Sequence, residues 1–226
     1  MIPKNADIFQ NLTPYEEEFI RPDEYPWQAL VRFFSFMDDC KKDPSKWPAH
    51  FPELDSEKME GAHGTIATFG RVHVRNAEDL KSDENTEIFG PSIFGKDVKV
   101  RKGTVITGPC WIGDGVMVGV GCRIKHSILL PGAKIVYGTR ITHSIIGRGA
   151  LVGSGVNLEA SPFETESVRY EETDTKMVEL GVFVGDRARI SAGVTCGAGV
   201  ILAPDERIKS GVVLPEASTP KNRRRS

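Results

Sequence analysis

Every sixth residue from Ile88 is apolar: Ile88, Phe94, Val100, Ile106, Ile112, Val118, Ile124, Leu130 and Val136. A period of six matches neither the 3.6-residue turn of a helix nor the two-residue alternation of an isolated strand. It suits a coil of three flat sides, one hexapeptide per side, stacked into a triangular prism. The column slips after Val136, resumes as Ile146, Val152 and Leu158, breaks again, and runs on as Val184, Ile190, Cys196, Leu202, Ile208 and Leu214. A second position, four residues after each rung, is small or β-branched: Ser92, Val98, Thr104, Cys110, Val116, Cys122 and Ile128 in the first run. These two inward positions per side predict an all-β fold, a parallel β-helix of about six triangular coils. The rung residues are assigned to its core and to no chemistry.

Glycine follows the rung at Gly95, Gly113, Gly119, Gly147, Gly153, Gly185 and Gly197, which reads as a turn requiring positive φ. The second inward position then becomes Lys134 and Arg140. Two cations cannot enter a narrow apolar prism without a large desolvation cost, so the sequence predicts a bulge over 131–145. That bulge would turn Lys134, Tyr137, Arg140 and His143 toward solvent or a neighbouring subunit. The second break, 159–183, carries Glu164, Glu166, Glu171, Glu172, Asp174 and Glu179 and reads as a loop insertion in the β-helix of 61–219.

Residues 1–60 are unlike the rest and read as a short N-terminal helical extension and loop. Pro26 near a first turn, with Trp27, Leu30, Val31, Phe34 and Met37 behind it, predicts an amphipathic helix over 26–42. Residues 220–226 hold Lys221 and Arg223 to Arg225 and read as a disordered basic tail. Lys plus Arg number 29 against 31 Asp plus Glu, a net charge of -2, which argues against nucleic acid as a partner. No run approaches about 18 consecutive apolar residues, and the first residues lack a signal-peptide pattern, so a cytoplasmic chain without a membrane partner is expected. Cys40, Cys110, Cys122 and Cys196 show neither disulfide nor zinc spacing, and no metal is expected.

The run GPSIFGKDVKVRKGTVITGPCWIGDGVMVGVGCRIKHSILL, continued in GVFVGDRARISAGVTCGAGVILAP, resembles the left-handed β-helix of hexapeptide-repeat acyltransferases. Within that superfamily it is most similar to the acetyltransferase half of bifunctional uridylyltransferase/glucosamine-1-phosphate acetyltransferases. The resemblance implies left-handed winding, acetyl-CoA or another acyl-CoA as co-substrate, a sugar phosphate or nucleotide sugar as acceptor, and a homotrimer with its site between subunits. It does not extend to the nucleotidyltransferase half, and Gly138-Thr139-Arg140 is not a nucleotide loop because it lies inside the ladder.

In the family a histidine in Pro-His-x-x-Tyr-Val-Gly-Asp acts as general base. Laid on this chain without gaps, the histidine position is Tyr137, the tyrosine position Arg140 and the aspartate position His143; the later asparagine falls near Ala160. Tyrosine, with a pKa near 10, is a poor base at pH 7. The candidates are therefore His143 and Tyr137 for catalysis, with an insertion carboxylate as an alternative base, and Lys134 and Arg140 for an anionic acceptor. Gly185, Asp186, Ala203 and Pro204 are the candidates for the acyl-CoA edge. Two functions stand: an acyltransferase with a non-standard site, or a trimer that has lost catalysis and binds or scaffolds a partner.

Overall fold

The computed structural model describes residues 2–53, 66–75, 80–158, 167–170 and 172–217, with backbone alone for 66–69. Twenty-two short strands stack into three parallel sheets of 8, 7 and 7 strands, the three faces of a left-handed β-helix of about seven turns. The turn count exceeds the expected six because the strands Ile66–Phe69, Val72–Val74 and Leu80–Ser82 form a regular opening coil. They pair in parallel with the coil above, at Ile66 with Thr86, Val72 with Ser92 and Leu80 with Val98. The boundary expected at 60/61, the carboxylates Glu164, Glu166 and Glu171, Ala160 and the tail 220–226 lie outside the described residues.

Strand register shows how the core closes. On the first face Ile88, Ile106, Ile124, Ile141 and Leu158 are stacked partners. Ile106 to Ile124 is one coil of 18 residues, whereas Ile124 to Ile141 and Ile141 to Leu158 are coils of 17. Each short coil drops one residue at a corner, where His126 (φ 49°) and His143 (φ 48°) adopt the left-handed conformation. The inward residues after those corners are therefore Leu129 and Ile135, not Leu130 and Val136. The small inward positions become Ser127, Ala133, Thr139 and Ser144, all fully buried.

The expected bulge is thus absent. Lys134 and Arg140 lie in unbroken strands, paired with Met117 and Leu151 and with Arg123 and Asn157, and they point outward because the register has moved by one residue. The glycine reading also changes. Gly113 and Gly185 do not have positive φ; a Cβ on Gly113 would meet Pro131 N at 2.7 Å, and one on Gly185 would meet Pro204 N at 2.5 Å. Glycine is needed there because successive coils approach backbone to backbone.

The N-terminal segment covers the second face. Its helices α1 (Asn5–Ile8), α2 (Pro14–Glu17) and α3 (Pro26–Lys42) pack their apolar side chains on the outward residues Ile93, Trp111, Ile128, Ile145 and Phe183. Phe19 and Phe51 meet the Trp111 ring edge-on at 5.3 and 5.5 Å, and Trp27 stacks on Tyr170 at 4.8 Å. A parallel sheet buried on both sides carries apolar residues on both, which this face does. The segment is also pinned by Asp186, whose carboxylate accepts the Gln10 amide at 2.7 Å and the Arg148 amide at 2.8 Å. Glu16 on α2 pairs with Arg148 at 3.0 Å. The four cysteines are buried and free. Among the described residues no helix is long and apolar enough to cross a membrane.

Two expectations follow. Ala133→Lys drives a cation into the prism and is expected to cost more than about 4 kcal/mol, while Lys134→Ala stays within about 0.5 kcal/mol by urea denaturation. The opposite ranking would restore the uninterrupted six-residue register. Asp186→Ala leaves two amides without their acceptor and is expected to cost about 3 kcal/mol, with faster proteolysis near Gln10. Unchanged stability and proteolysis would show that the carboxylate does not hold the segment.

Candidate functional site

The sequence grouped Lys134, Tyr137, Arg140 and His143 at one bulge and set the acyl-CoA edge apart; within one chain these candidates occupy three corners of the prism. Tyr137 is 61% exposed at the corner between the third and first faces, with exposed Lys134 and Arg140 on either side of it. His143 lies at the far end of the strand Arg140–Thr142, at the corner between the first and second faces. Six residues of extended chain put Tyr137 and His143 up to about 20 Å apart. Gly185, Asp186, Ala203 and Pro204 form the corner between the second and third faces, one coil above the other.

Register also joins Lys134 to a cationic column that six-residue counting did not reveal. Down the outside of the third face the stacked positions are Lys81, Lys99, Met117, Lys134, Leu151, Arg189 and Arg207. Like charges on neighbouring strands repel, so Lys81 beside Lys99 and Arg189 beside Arg207 favour an anionic neighbour. The column is legible only once the 17-residue coils and the insertion are known.

At the second corner the two shortened coils place His126 and His143 one above the other. His126 Nδ1 lies 3.1 Å from His143 Nε2, which is also 3.2 Å from Glu179 Oε2. Histidine and insertion carboxylate, the two bases considered from sequence, thus meet. Phe34 of α3 covers both imidazoles edge-on, at 6.0 and 5.9 Å. His143 is only 6% exposed, packed under Phe34 of its own chain, where the expectation is that it turns toward solvent or a neighbouring subunit. Burial, reinforced by His126 and opposed by Glu179, pushes its pKa down to about 4. Burial and Lys125 lower that of His126 as well. Both rings are neutral at pH 7. One proton on His143 Nε2 then serves two acceptors, His126 Nδ1 and Glu179, and leaves His143 Nδ1 buried without a partner.

Of the other insertion carboxylates, Asp174 is spent on Ser167 at 2.5 Å and on Lys176 at 2.9 Å. These bonds tie the short hairpin of Arg169–Tyr170 and Thr173–Asp174. At the third corner Asp186 is fully buried, so its side chain faces the N-terminal segment and not an external ligand. Ala203 is exposed, Pro204 is half-buried, and the Ala203 amide is held by Glu206 at 2.7 Å.

Residues 88–178 match the model of the GMPPB C-terminal domain. The chain is 28% identical over 153 residues to the bifunctional protein GlmU of Burkholderia mallei and of Burkholderia pseudomallei, covering 60% of this chain and 34% of theirs. With GlmU of Acinetobacter baylyi the identity is 26% over 131 residues, covering 54% of this chain and 29% of that one. The match spans about a third of the length of these relatives. A Bacillus cereus chain provisionally described as an acetyltransferase is 18% identical, with a TM-score of 0.40, over 69% of this chain and 76% of its own. The two 17-residue coils and their histidine corners lie inside the matched stretch. Over residues 88–178 the solenoid of this chain is similar to the GMPPB C-terminal domain, and the chain is similar to about a third of GlmU.

Proposed function

We propose that this chain is an acyltransferase that moves an acyl group from acyl-CoA to a sugar phosphate or nucleotide sugar in the cytoplasm. The observation that carries the reading is the pair Lys134 and Arg140, outward on adjoining faces beside exposed Tyr137, within the stretch similar to the GMPPB C-terminal domain. Charge-assisted hydrogen bonds from two cations suit a phosphate or diphosphate. Acyl-CoA would lie along the corner of Gly185, Ala203 and Pro204, bonding chiefly to backbone.

His143 is the proposed proton acceptor. With Glu179 displaced, the ring proton can move to Nδ1 and leave the lone pair on Nε2 to accept; the Glu179 side chain is 45% exposed and belongs to the insertion. Tyr137 would line the acceptor. Because Tyr137 and His143 stand at opposite ends of one strand, a single chain cannot place both on one acceptor. The reading therefore includes a homotrimer, with the Tyr137 corner of one subunit facing the His143 corner of the next. The second face is already covered by α3, which leaves the first and third for subunit contact.

A second reading, a trimer that binds the phosphorylated ligand without acyl transfer, is favoured by one observation. His143 is covered by Phe34, and its Nε2 is already engaged.

Light scattering is expected to give about three times the 24.9 kDa chain mass; a monomer at micromolar concentration would remove the shared site. With acetyl-CoA and a hexosamine 1-phosphate, thiol release is expected in the wild type. Arg140→Ala should raise the acceptor KM by roughly 10- to 100-fold. Ala203→Trp should weaken CoA binding by calorimetry without lowering the melting temperature. Ligand binding without thiol release supports the second reading, and absence of both contradicts the two together.

A further inference from the structure

His126, His143 and Glu179 come from two successive coils and the end of the insertion, yet their donor atoms all lie within 4.8 Å of one another. The close pairs are 3.1 Å between His126 Nδ1 and His143 Nε2, and 3.2 Å between His143 Nε2 and Glu179 Oε2. Ligands of a tetrahedral ion bound at about 2.0–2.1 Å are separated by roughly 3.3–3.4 Å, the edge of the tetrahedron. The two imidazoles meet at an interplanar angle of 82° with centroids 4.8 Å apart. The one-residue shortening of both coils and the left-handed φ at each histidine fix this arrangement in the backbone.

We propose that His126 Nδ1, His143 Nε2 and the Glu179 carboxylate form a binding site for one divalent transition-metal ion of the zinc class. Two imidazoles and one carboxylate are the ligands such ions take, and three protein donors leave a fourth position open. That position is on the Glu179 side, since Phe34 closes the other and His143 is almost wholly buried. The Gly108 backbone also acts on the His126 ring, raising its pKa against the effect of burial. Lys125 and Lys41 lie close enough to oppose the ion, which weakens the site without changing its ligands. Metal binding does not depend on the transferase reading. An ion at Nε2 occupies the lone pair that proton transfer would use, so a metal-loaded site and His143 as base exclude each other.

The test uses the full chain, stripped with chelator and titrated with Zn²⁺ by calorimetry and with Co²⁺ by visible absorption. Wild type is expected to bind one ion per chain, with Co²⁺ giving the intense d–d bands of a low-symmetry four- or five-coordinate site. His126→Asn keeps a residue that tolerates left-handed φ, and Glu179→Gln alters an exposed carboxylate, so both are expected to fold. Each should weaken Zn²⁺ binding by more than about ten-fold, as loss of one ligand requires. No stoichiometric binding in wild type, or equal binding in both variants with unchanged circular dichroism, overturns the proposal. The second outcome would place the ion on other histidines. Stoichiometric binding in the wild type would remove His143 as the base, while thiol release is measured separately, so failure of the metal site and failure of the transferase reading remain distinguishable.

Discussion

The fold depends on keeping two requirements in step as the chain climbs. Each coil must hydrogen-bond to the coil below, and each must deliver one large and one small residue into a narrow interior. The first requirement is met by parallel pairing at every side, and the second by the stacked columns that contain Ile106, Ile124 and Ile141. A coil can lose a residue only at a corner, where no ladder bond is broken. That is where the two losses occur, and each is absorbed by a histidine in left-handed conformation. The shift keeps Lys134 and Arg140 outside, sets Ala133 and Thr139 inside, and stacks the two histidines. Core, cationic column and histidine cluster therefore share one cause.

The second consequence of a flat-sided prism is that each face needs either a partner or a polar surface. Here the second face has its partner in the same chain, through Trp111 and the α3 residues packed around it. Asp186 and the Glu16–Arg148 pair join that cover to the corner of the fifth and sixth coils. A carboxylate with both oxygens given to backbone amides is a fastening, and this explains why an aspartate in a corner glycine motif need not meet cofactor. The first and third faces carry Arg123, Arg140, Lys99 and Lys134 on their outer sides.

Much of the fold was legible because apolar spacing of six is hard to produce in any other way, and α3 because its stripe follows Pro26 at helical spacing. What could not be read was register. Counting by six continued through His126 as though the corner were full length, and it therefore gave Lys134 and Arg140 inward phases that only a bulge could relieve. A one-residue deletion that preserves local hydrophobicity leaves Leu129 and Leu130 equally plausible as rungs. The candidate site inherited the same difficulty. Residues close in sequence, Tyr137 and His143, stand at different corners, while Glu179, 36 residues beyond His143, touches it. That contact is made by the insertion, whose path has no periodicity to follow.

The claim that corners of different subunits make one site is tested most directly by mixing two inactive chains. Arg140→Ala damages one corner and His143→Asn the other, the asparagine being chosen because it tolerates the left-handed backbone. Refolded separately and assayed with a hexosamine 1-phosphate held well below the KM of the Arg140→Ala variant, each should release little thiol from acetyl-CoA. Refolded together, mixed trimers should regain a substantial fraction of wild-type activity, because some interfaces join two undamaged corners. No recovery in verified mixed trimers would contradict a site shared between subunits.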